Sequence, residues 1–72
     1  MKSFDEMTEG YLDGFQDTRD EFPSSLANRG KSYIHGWLNG RDDRLHRPRD
    51  LAKNLREQAD AAIEADERSA GR

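Results

Sequence analysis

Apolar side chains recur every three or four residues in the first part of the chain. The series is Phe4, Met7, Tyr11 and Phe15, and this spacing is typical of one face of an α-helix. A Phe-Pro pair follows, and proline disfavours helical geometry at the residue before it. The pattern therefore predicts a first helix over about residues 4–20.

A second helix is predicted by a similar stripe after the proline. It should run over about residues 26–43, with the apolar positions Leu26, Tyr33, Ile34, Trp37 and Leu38. Gly30 weakens its early part because glycine is a poor helix former, so a start as late as Lys31 also fits.

A third amphipathic helix is predicted over about residues 49–68. Its apolar face narrows to alanine towards the end, so we expect its second half to project into solvent or to meet a partner. The candidate partner or homodimer face is Leu51, Leu55, Ala59 and Ile63, and we expect its large apolar side chains to be buried by dimerisation or against the helical hairpin. The predicted fold class is therefore all-α: a small helical hairpin in residues 1–45, followed by a C-terminal amphipathic helix and a frayed tail in residues 46–72.

Two short stretches repeat the pattern tyrosine, aliphatic, polar, glycine, aromatic. Each lies beside a further glycine, which gives Gly-x-x-x-Gly twice. A glycine inside a helix costs about 1 kcal/mol relative to alanine, so we expect these glycines to allow a close helix crossing, with the aromatic side chains of each helix over the glycines of the other. The alternative is that the glycines are helix C-caps, which suits Gly40 best. The predicted crossing motif is Gly10, Tyr11, Gly14, Phe15, Tyr33, Gly36, Trp37 and Gly40.

Composition narrows the class of protein. The chain has 72 residues and no cysteine, which excludes disulfides and thiolate metal sites. Large apolar residues are few, and so small a core usually needs a staple or a partner. No apolar run approaches the roughly 18 residues of a membrane helix, and the N-terminus lacks an apolar segment of the signal-peptide type. A cytoplasmic protein is expected.

Charge is segregated along the chain. Residues 1–27 carry two basic and seven acidic side chains, residues 28–56 eight basic and three acidic, and residues 57–72 two basic and five acidic. A basic centre between acidic ends fits a phosphate-binding face. It also fits pairing with the acidic segments, either within the fold or across a dimer. Composition slightly favours this pairing over phosphate binding.

Candidate chemistry points to binding and not to catalysis. Histidines occur only at His35 and His46, and the sequence shows no nucleophile-base grouping or glycine-rich nucleotide loop, so no enzyme, cofactor or metal site is predicted. Arginine side chains suit phosphate because their planar fork donates two parallel hydrogen bonds. The candidate nucleic-acid-binding residues are Arg29, Lys31, Arg41, Arg44, Arg47 and Arg49. Tyr33 and Trp37 can stack on unpaired bases, although core packing is the favoured role.

The glycine and aromatic motifs resemble the ribosome modulation factor family. The matching elements are Gly10-Tyr11-Leu12-Asp13-Gly14, Pro23, Tyr33 and Gly36-Trp37, over about residues 9–42. This resemblance implies a compact pair of helices whose basic surface binds ribosomal RNA and limits translation. Acidic residues here replace the family's basic N-terminal extension, and the third helix is an addition. The alternative is a protein–protein interaction module, such as a phage-type inhibitor that docks on a host protein or complex.

Overall fold

Three α-helices account for most of the chain. The structure is a computed structural model that describes residues 2–70. It contains α1 (Lys2–Gln16), a short 3₁₀ turn (Ser24–Leu26), α2 (Lys31–Arg44) and α3 (Ala52–Ala70). No strand occurs among these residues. The predicted all-α class is confirmed, as is the close packing of the first two helices, predicted as a hairpin.

Glycines form the contact between α1 and α2. A Cβ added at Gly10 would lie 3.0 Å from the carbonyl carbon of Tyr33, and one added at Gly14 would lie 2.8 Å from that of Trp37. In return, a Cβ on Gly36 would lie 3.0 Å from the carbonyl carbon of Met7. Each carbonyl oxygen would be closer still, so any other residue would overlap the facing backbone.

The glycines meet backbone and not aromatic rings, which differs from the expected arrangement. The added Cβ directions point at carbonyl groups, so the glycine Cα–H groups face carbonyl oxygens, the geometry of weak Cα–H···O contacts. Backbone-to-backbone approach of this kind leaves no room for a ring between the helices. The larger side chains therefore lie beside the crossing.

The contact register shows that α1 and α2 run in the same general direction. Gly36 lies against Met7 and Tyr11, whereas Gly40, one turn later, lies against Tyr11 and Phe15. Contacts thus advance along both helices together. Residues 17–30 must carry the chain back along the pair before α2 begins.

A small aromatic core lies beside this crossing. Tyr33 and Trp37 are almost fully buried. The ring of Phe22 meets Trp37 edge to face at a centroid distance of 5.3 Å, a favourable aromatic geometry. Phe22 and the buried Pro23 thereby attach the connection between α1 and α2 to the core.

The third helix docks on α2, which corrects the expectation that its second half projects into solvent and agrees with the alternative that the helix packs against the hairpin. Ala62 is buried, and the Asp66 carboxylate accepts hydrogen bonds from the backbone N–H groups of Lys31 (2.9 Å) and Ser32 (2.7 Å). These are unpaired donors at the start of α2, which helices normally satisfy with a local capping side chain. Small alanines let α3 come close enough for Asp66 to serve instead.

The helix boundaries differ from the predicted ones for local reasons. The first helix ends at Gln16 because Asp17 accepts hydrogen bonds from the backbone and side chain of Arg19, a local alternative to the helical ladder. The second helix begins at Lys31, the latest start that the sequence predicted. Gly30, the residue before it, has an extended conformation. The Asp50 side chain accepts a hydrogen bond from the Leu51 N–H, and α3 begins at Ala52.

The end of α2 lies close to the predicted residue 43. The Arg47 N–H bonds to the Asp42 carbonyl (2.9 Å) and the His46 N–H to the Asp43 carbonyl (3.2 Å), which is the Schellman pattern. His46 has φ of 56°, in the left-handed conformation where glycine is usual. This turn directs residues 47–51 towards α3.

Candidate interaction surfaces

Two of the candidate phosphate-binding arginines are hydrogen-bonded to the end of α1 and the segment after it. The Arg41 guanidinium donates to the Asp20 carbonyl (3.0 Å) and to the Asp42 carboxylate (2.9 Å). The Arg44 guanidinium donates to the Arg19 carbonyl (2.7 Å) and lies 3.7 Å from the Asp20 carboxylate. These side chains therefore hold the residues after α1 against α2.

A third arginine, Arg49, belongs to a polar network on α2. Its guanidinium donates to the buried Asp42 carboxylate (3.0 Å) and to the Asn39 side-chain oxygen (2.7 Å). The Asn39 amide lies 3.0 Å from Nε2 of His35, and His35 is buried. Burial, and then the nearby Arg49 charge, lowers the pKa of His35. A neutral imidazole that accepts from Asn39 satisfies this arrangement.

At the start of α2, Arg29 is engaged while Lys31 faces solvent. The Arg29 guanidinium lies 3.8 Å from the centre of the Tyr33 ring and 3.3 Å from the Glu9 carboxylate, a cation–π contact combined with an ion pair. The Lys31 side chain is exposed. Four of the six candidate cations thus interact with residues of the same chain, so the segregated charges pair at least partly within the fold.

Exposed cations are concentrated where the chain enters α3. Arg47, Lys53 and Arg56 are exposed, and none of them has an ion-pair partner within residues 2–70. Only Arg47 belongs to the candidate set. Sequence reasoning missed Lys53 and Arg56 because they lie on a helix whose clearest sequence signal is its apolar stripe.

The aromatic residues of α2 are unavailable to a ligand. Tyr33 is 1% and Trp37 0% exposed, so neither ring offers a face on which a base can stack. The Tyr33 hydroxyl donates to the Asp13 carboxylate (2.6 Å); burial, followed by this hydrogen bond, raises the pKa of Tyr33 to about 12. Similarly, the Tyr11 hydroxyl donates to Asp43, and this bond raises the pKa of Tyr11.

The large apolar side chains of α1 lie mostly on the outside of the molecule. Phe4 is 60%, Leu12 52% and Phe15 47% exposed, and we call these three residues the α1 apolar face. The buried positions of α1 are instead its small residues, including Ser3, Gly10 and Gly14. Sequence analysis identified two of the three residues in the helical stripe but did not foresee that this side faces solvent.

The predicted dimer face on α3 is partly used inside the molecule. Leu55, Ala59 and Ile63 are half-buried, whereas Leu51 is 72% exposed. Leu55 lines a cleft of about 200 Å³ together with Tyr11, Pro48 and Arg49. This cleft connects the beginning of α3 to the side of α1.

Comparison with known proteins gives no match: no family model, no curated protein and no solved structure resembles this chain. In residues 2–70, no three His, Asp or Glu side chains are grouped to hold a metal ion. Over the same residues, no helix is long and apolar enough to cross a membrane. The described residues offer two candidate interaction surfaces, the α1 apolar face and the exposed cations around the start of α3.

Proposed function

We propose that this chain is a small protein–protein interaction module that docks on its partner through the α1 apolar face. The observation that carries the proposal is the exposure of Phe4, Leu12 and Phe15 on a helix whose other side is already packed against α2. A group of large apolar side chains exposed on a small protein often marks an interaction site. Aromatic side chains are also enriched in binding hot spots.

The surroundings of this face define the chemistry of the partner. Asp5 and Glu9 are exposed and lie seven and three residues before Leu12, which places them beside it on the helix surface. A partner with apolar side chains bordered by cations complements such a face. Most of the candidate arginines already bind groups of their own chain and are less available to phosphate. This favours a protein partner over a phosphate contact.

Site-specific photo-cross-linking tests the proposal. A photoreactive residue at Leu12 should form an adduct with a protein under native conditions, and that adduct should survive nuclease treatment. The same residue at Ala61, which is exposed on α3, is the matched control and should give no corresponding adduct. Equal labelling from both positions would show that the α1 apolar face has no special affinity for protein.

A second candidate function is a non-enzymatic RNA- or ribosome-binding regulator of the modulation-factor type. Two features favour it: the motif resemblance over about residues 9–42, and the exposed cations Lys31, Arg47, Lys53 and Arg56. Such side chains contact phosphate and release counterions on binding. The net charge of −3 opposes association with RNA, so binding would depend on this local basic surface.

Ribosome co-sedimentation at two salt concentrations tests this second candidate. RNA binding predicts association at low salt that falls steeply as salt rises, by about 0.7–0.9 in log-log slope for each phosphate contact. The double variant Lys53→Glu with Arg56→Glu should lose association. Arg68→Glu is the control, because Arg68 is paired with Glu64 on the same helix. An absence of ribosome-bound protein at low salt would exclude this candidate.

A further inference from the structure

We infer that His35, Asn39 and Arg49 form a proton-sensitive switch, in which protonation of His35 turns the Asn39 amide over and detaches Arg49 from it. This switch lies outside the α1 apolar face and does not depend on the partner of that face. Three features of the molecule lead to it: the order of the hydrogen bonds, the burial of His35, and the position of Arg49 on the segment between α2 and α3.

The hydrogen bonds of Asn39 determine the orientation of its amide. Arg49 donates to the Asn39 side-chain oxygen at 2.7 Å, and a guanidinium has no acceptor, so the atom that faces Arg49 must be the oxygen. The amide nitrogen therefore faces Nε2 of His35, at a distance of 3.0 Å. Because this nitrogen only donates, Nε2 must accept, and the neutral imidazole carries its proton on Nδ1.

A protonated His35 does not fit this orientation. An imidazolium donates from both ring nitrogens, so its Nε2–H would point at the N–H groups of the Asn39 amide. If the amide turns over, its oxygen accepts from His35, but its nitrogen then faces Arg49, which is also a donor. Asn39 thus satisfies either the protonated His35 or Arg49, and not both.

Burial decides which of the two side chains gives way. His35 is 7% exposed, so its charged form has little access to water and needs the Asn39 oxygen, because a buried charge without a hydrogen bond is costly. The Arg49 side chain is 27% exposed and can exchange Asn39 for water. Repulsion between the two cations acts in the same direction. Arg49 is therefore the group that leaves.

The departure of Arg49 loosens the segment that leads into α3. Arg49 is then held on α2 by the Asp42 carboxylate alone, at 3.0 Å, and that carboxylate also binds Arg41 at 2.9 Å. Asp50, the neighbouring acid, binds the N–H of Leu51 in its own segment and does not replace the lost contact. Residues 47–51 thus lose one of the two side-chain hydrogen bonds that Arg49 makes to α2.

The other ionisable groups on this side of the molecule keep their charge state while His35 titrates. From α1, the Tyr11 hydroxyl donates to Asp43, which raises the pKa of Tyr11. From α3, Asp66 accepts from the N–H of Ser32, three residues before His35, and the pKa of Asp66 is lowered. Tyr11 therefore stays neutral and Asp66 stays ionised, so neither drives the change.

Nuclear magnetic resonance of the full chain between about pH 7 and 5, the range in which histidine titrates, tests the switch. At pH 7 the His35 ring should be the Nδ1–H tautomer. On acidification, the Arg49 Nε–H and the Asn39 side-chain amide signals should shift with the same midpoint as the His35 ring. Circular dichroism should show that the helices are retained at this midpoint. Loss of helix with that midpoint would mean global unfolding and would overturn the switch.

Asn39→Asp separates the switch from a merely structural contact. A carboxylate at this position can accept from the protonated His35 with one oxygen and from Arg49 with the other. The Arg49 signal should then stay unchanged on acidification, and the midpoint of His35 should rise, because a nearby opposite charge favours the protonated form. Asn28→Asp, at an exposed position, adds the same charge and should behave like the parent.

His35→Gln provides a second variant, because glutamine takes up no proton in this range. Its Arg49 signal should not depend on pH. Three results would overturn the inference: a His35 ring that stays neutral down to pH 5, an Arg49 signal that does not follow the titration of His35, or equal detachment of Arg49 in the parent and in Asn39→Asp. Each of these would leave the proposal for the α1 apolar face unaffected.

Discussion

At the scale of single residues, glycines determine where α1 and α2 make contact, because they have no side chain. Gly10, Gly14, Gly36 and Gly40 each face backbone of the opposite helix, and the contact repeats after four residues on both helices. A single methyl group at any of these positions must push the helices apart. The energetic penalty of glycine within a helix is thus offset by an approach that no other residue permits.

Gly36→Ala should destabilise the protein by about 1–3 kcal/mol, because the added methyl group overlaps the Met7 carbonyl and this overpacking exceeds the gain in helix propensity. Gly14→Ala should have a similar effect at Trp37. Urea unfolding followed by circular dichroism measures the change. Thr8→Ala, on the exposed side of α1, is the control and should leave the free energy of unfolding nearly unchanged. Gly36→Ala with parental stability would show that the helices tolerate a wider crossing.

His35 should make stability depend on pH. Its pKa in the folded protein lies below the ordinary value of about 6.5, so the unfolded chain binds the proton more readily. The free energy of unfolding should therefore decrease as pH falls below about 6.5, until the folded-state pKa is passed. His35→Gln should remove this part of the pH dependence, whereas His46→Asn, at an exposed position, should retain it. Urea titrations between pH 5 and 7 provide the measurement.

At the scale of elements, the helices depend on groups that other elements supply. The first turn of α2 has no capping side chain of its own and is capped by Asp66 from α3. Likewise, Arg41 and Arg44 on α2 satisfy carbonyl groups of the segment that follows α1. The hydrogen bonds that Asp66 accepts from Ser32 and Lys31 outweigh its burial and lower the pKa of its carboxyl group.

Asp66→Ala should destabilise the protein by about 0.5–2 kcal/mol, the usual effect of losing a helix N-cap. The loss should be largest at neutral pH. Because the pKa of Asp66 is lowered in the folded state, its contribution is present above the unfolded pKa and disappears as pH falls through the folded one. Asp60→Ala on the exposed side of α3 is the matched control. Equal unfolding curves for the two variants would show that the cap contributes nothing.

Periodicity was sufficient to predict the three helices and the buried position of Tyr33 and Trp37 on α2, but not which side of α1 is buried. The stripe of Phe4, Tyr11 and Phe15 has the spacing of a buried helix face, yet the buried side of α1 consists of small residues. This outcome follows from the glycine contact, which brings the backbones together and rotates the larger side chains outwards. Asp66 was equally inaccessible to local reasoning, because its partners lie 34 and 35 residues away in the sequence.

At the scale of the whole molecule, several contacts join residues 1–45 to residues 46–72, the two parts into which the sequence was predicted to divide. Arg49 binds Asp42 and Asn39, Asp66 caps α2, and Ala62 is buried. With Tyr33 and Trp37 as the only large buried apolar side chains in residues 2–70, the helical pair has little core to lose. We therefore expect the three helices to unfold as one cooperative unit.

Deleting residues 46–72 tests this expectation. The shortened chain loses the cap of α2 and both contacts of Arg49, so it should be less helical per residue and melt at a lower temperature than the parent. Thermal unfolding followed at 222 nm and by Trp37 fluorescence should give coincident transitions in the parent. A deletion variant with the parent's melting temperature would establish residues 1–45 as an independent domain.

The cap on α2 also determines when the fold can be completed during synthesis. The Lys31 N–H donates its hydrogen bond to Asp66, a residue 35 positions later in the chain. At about 5–20 residues per second, roughly 2–7 s separate the translation of the two. Until residue 66 has been made, the first turn of α2 lacks this cap, and a chain released earlier never acquires it. Premature termination would therefore give products in which α2 lacks its N-terminal cap, even when every residue of the helical pair is present.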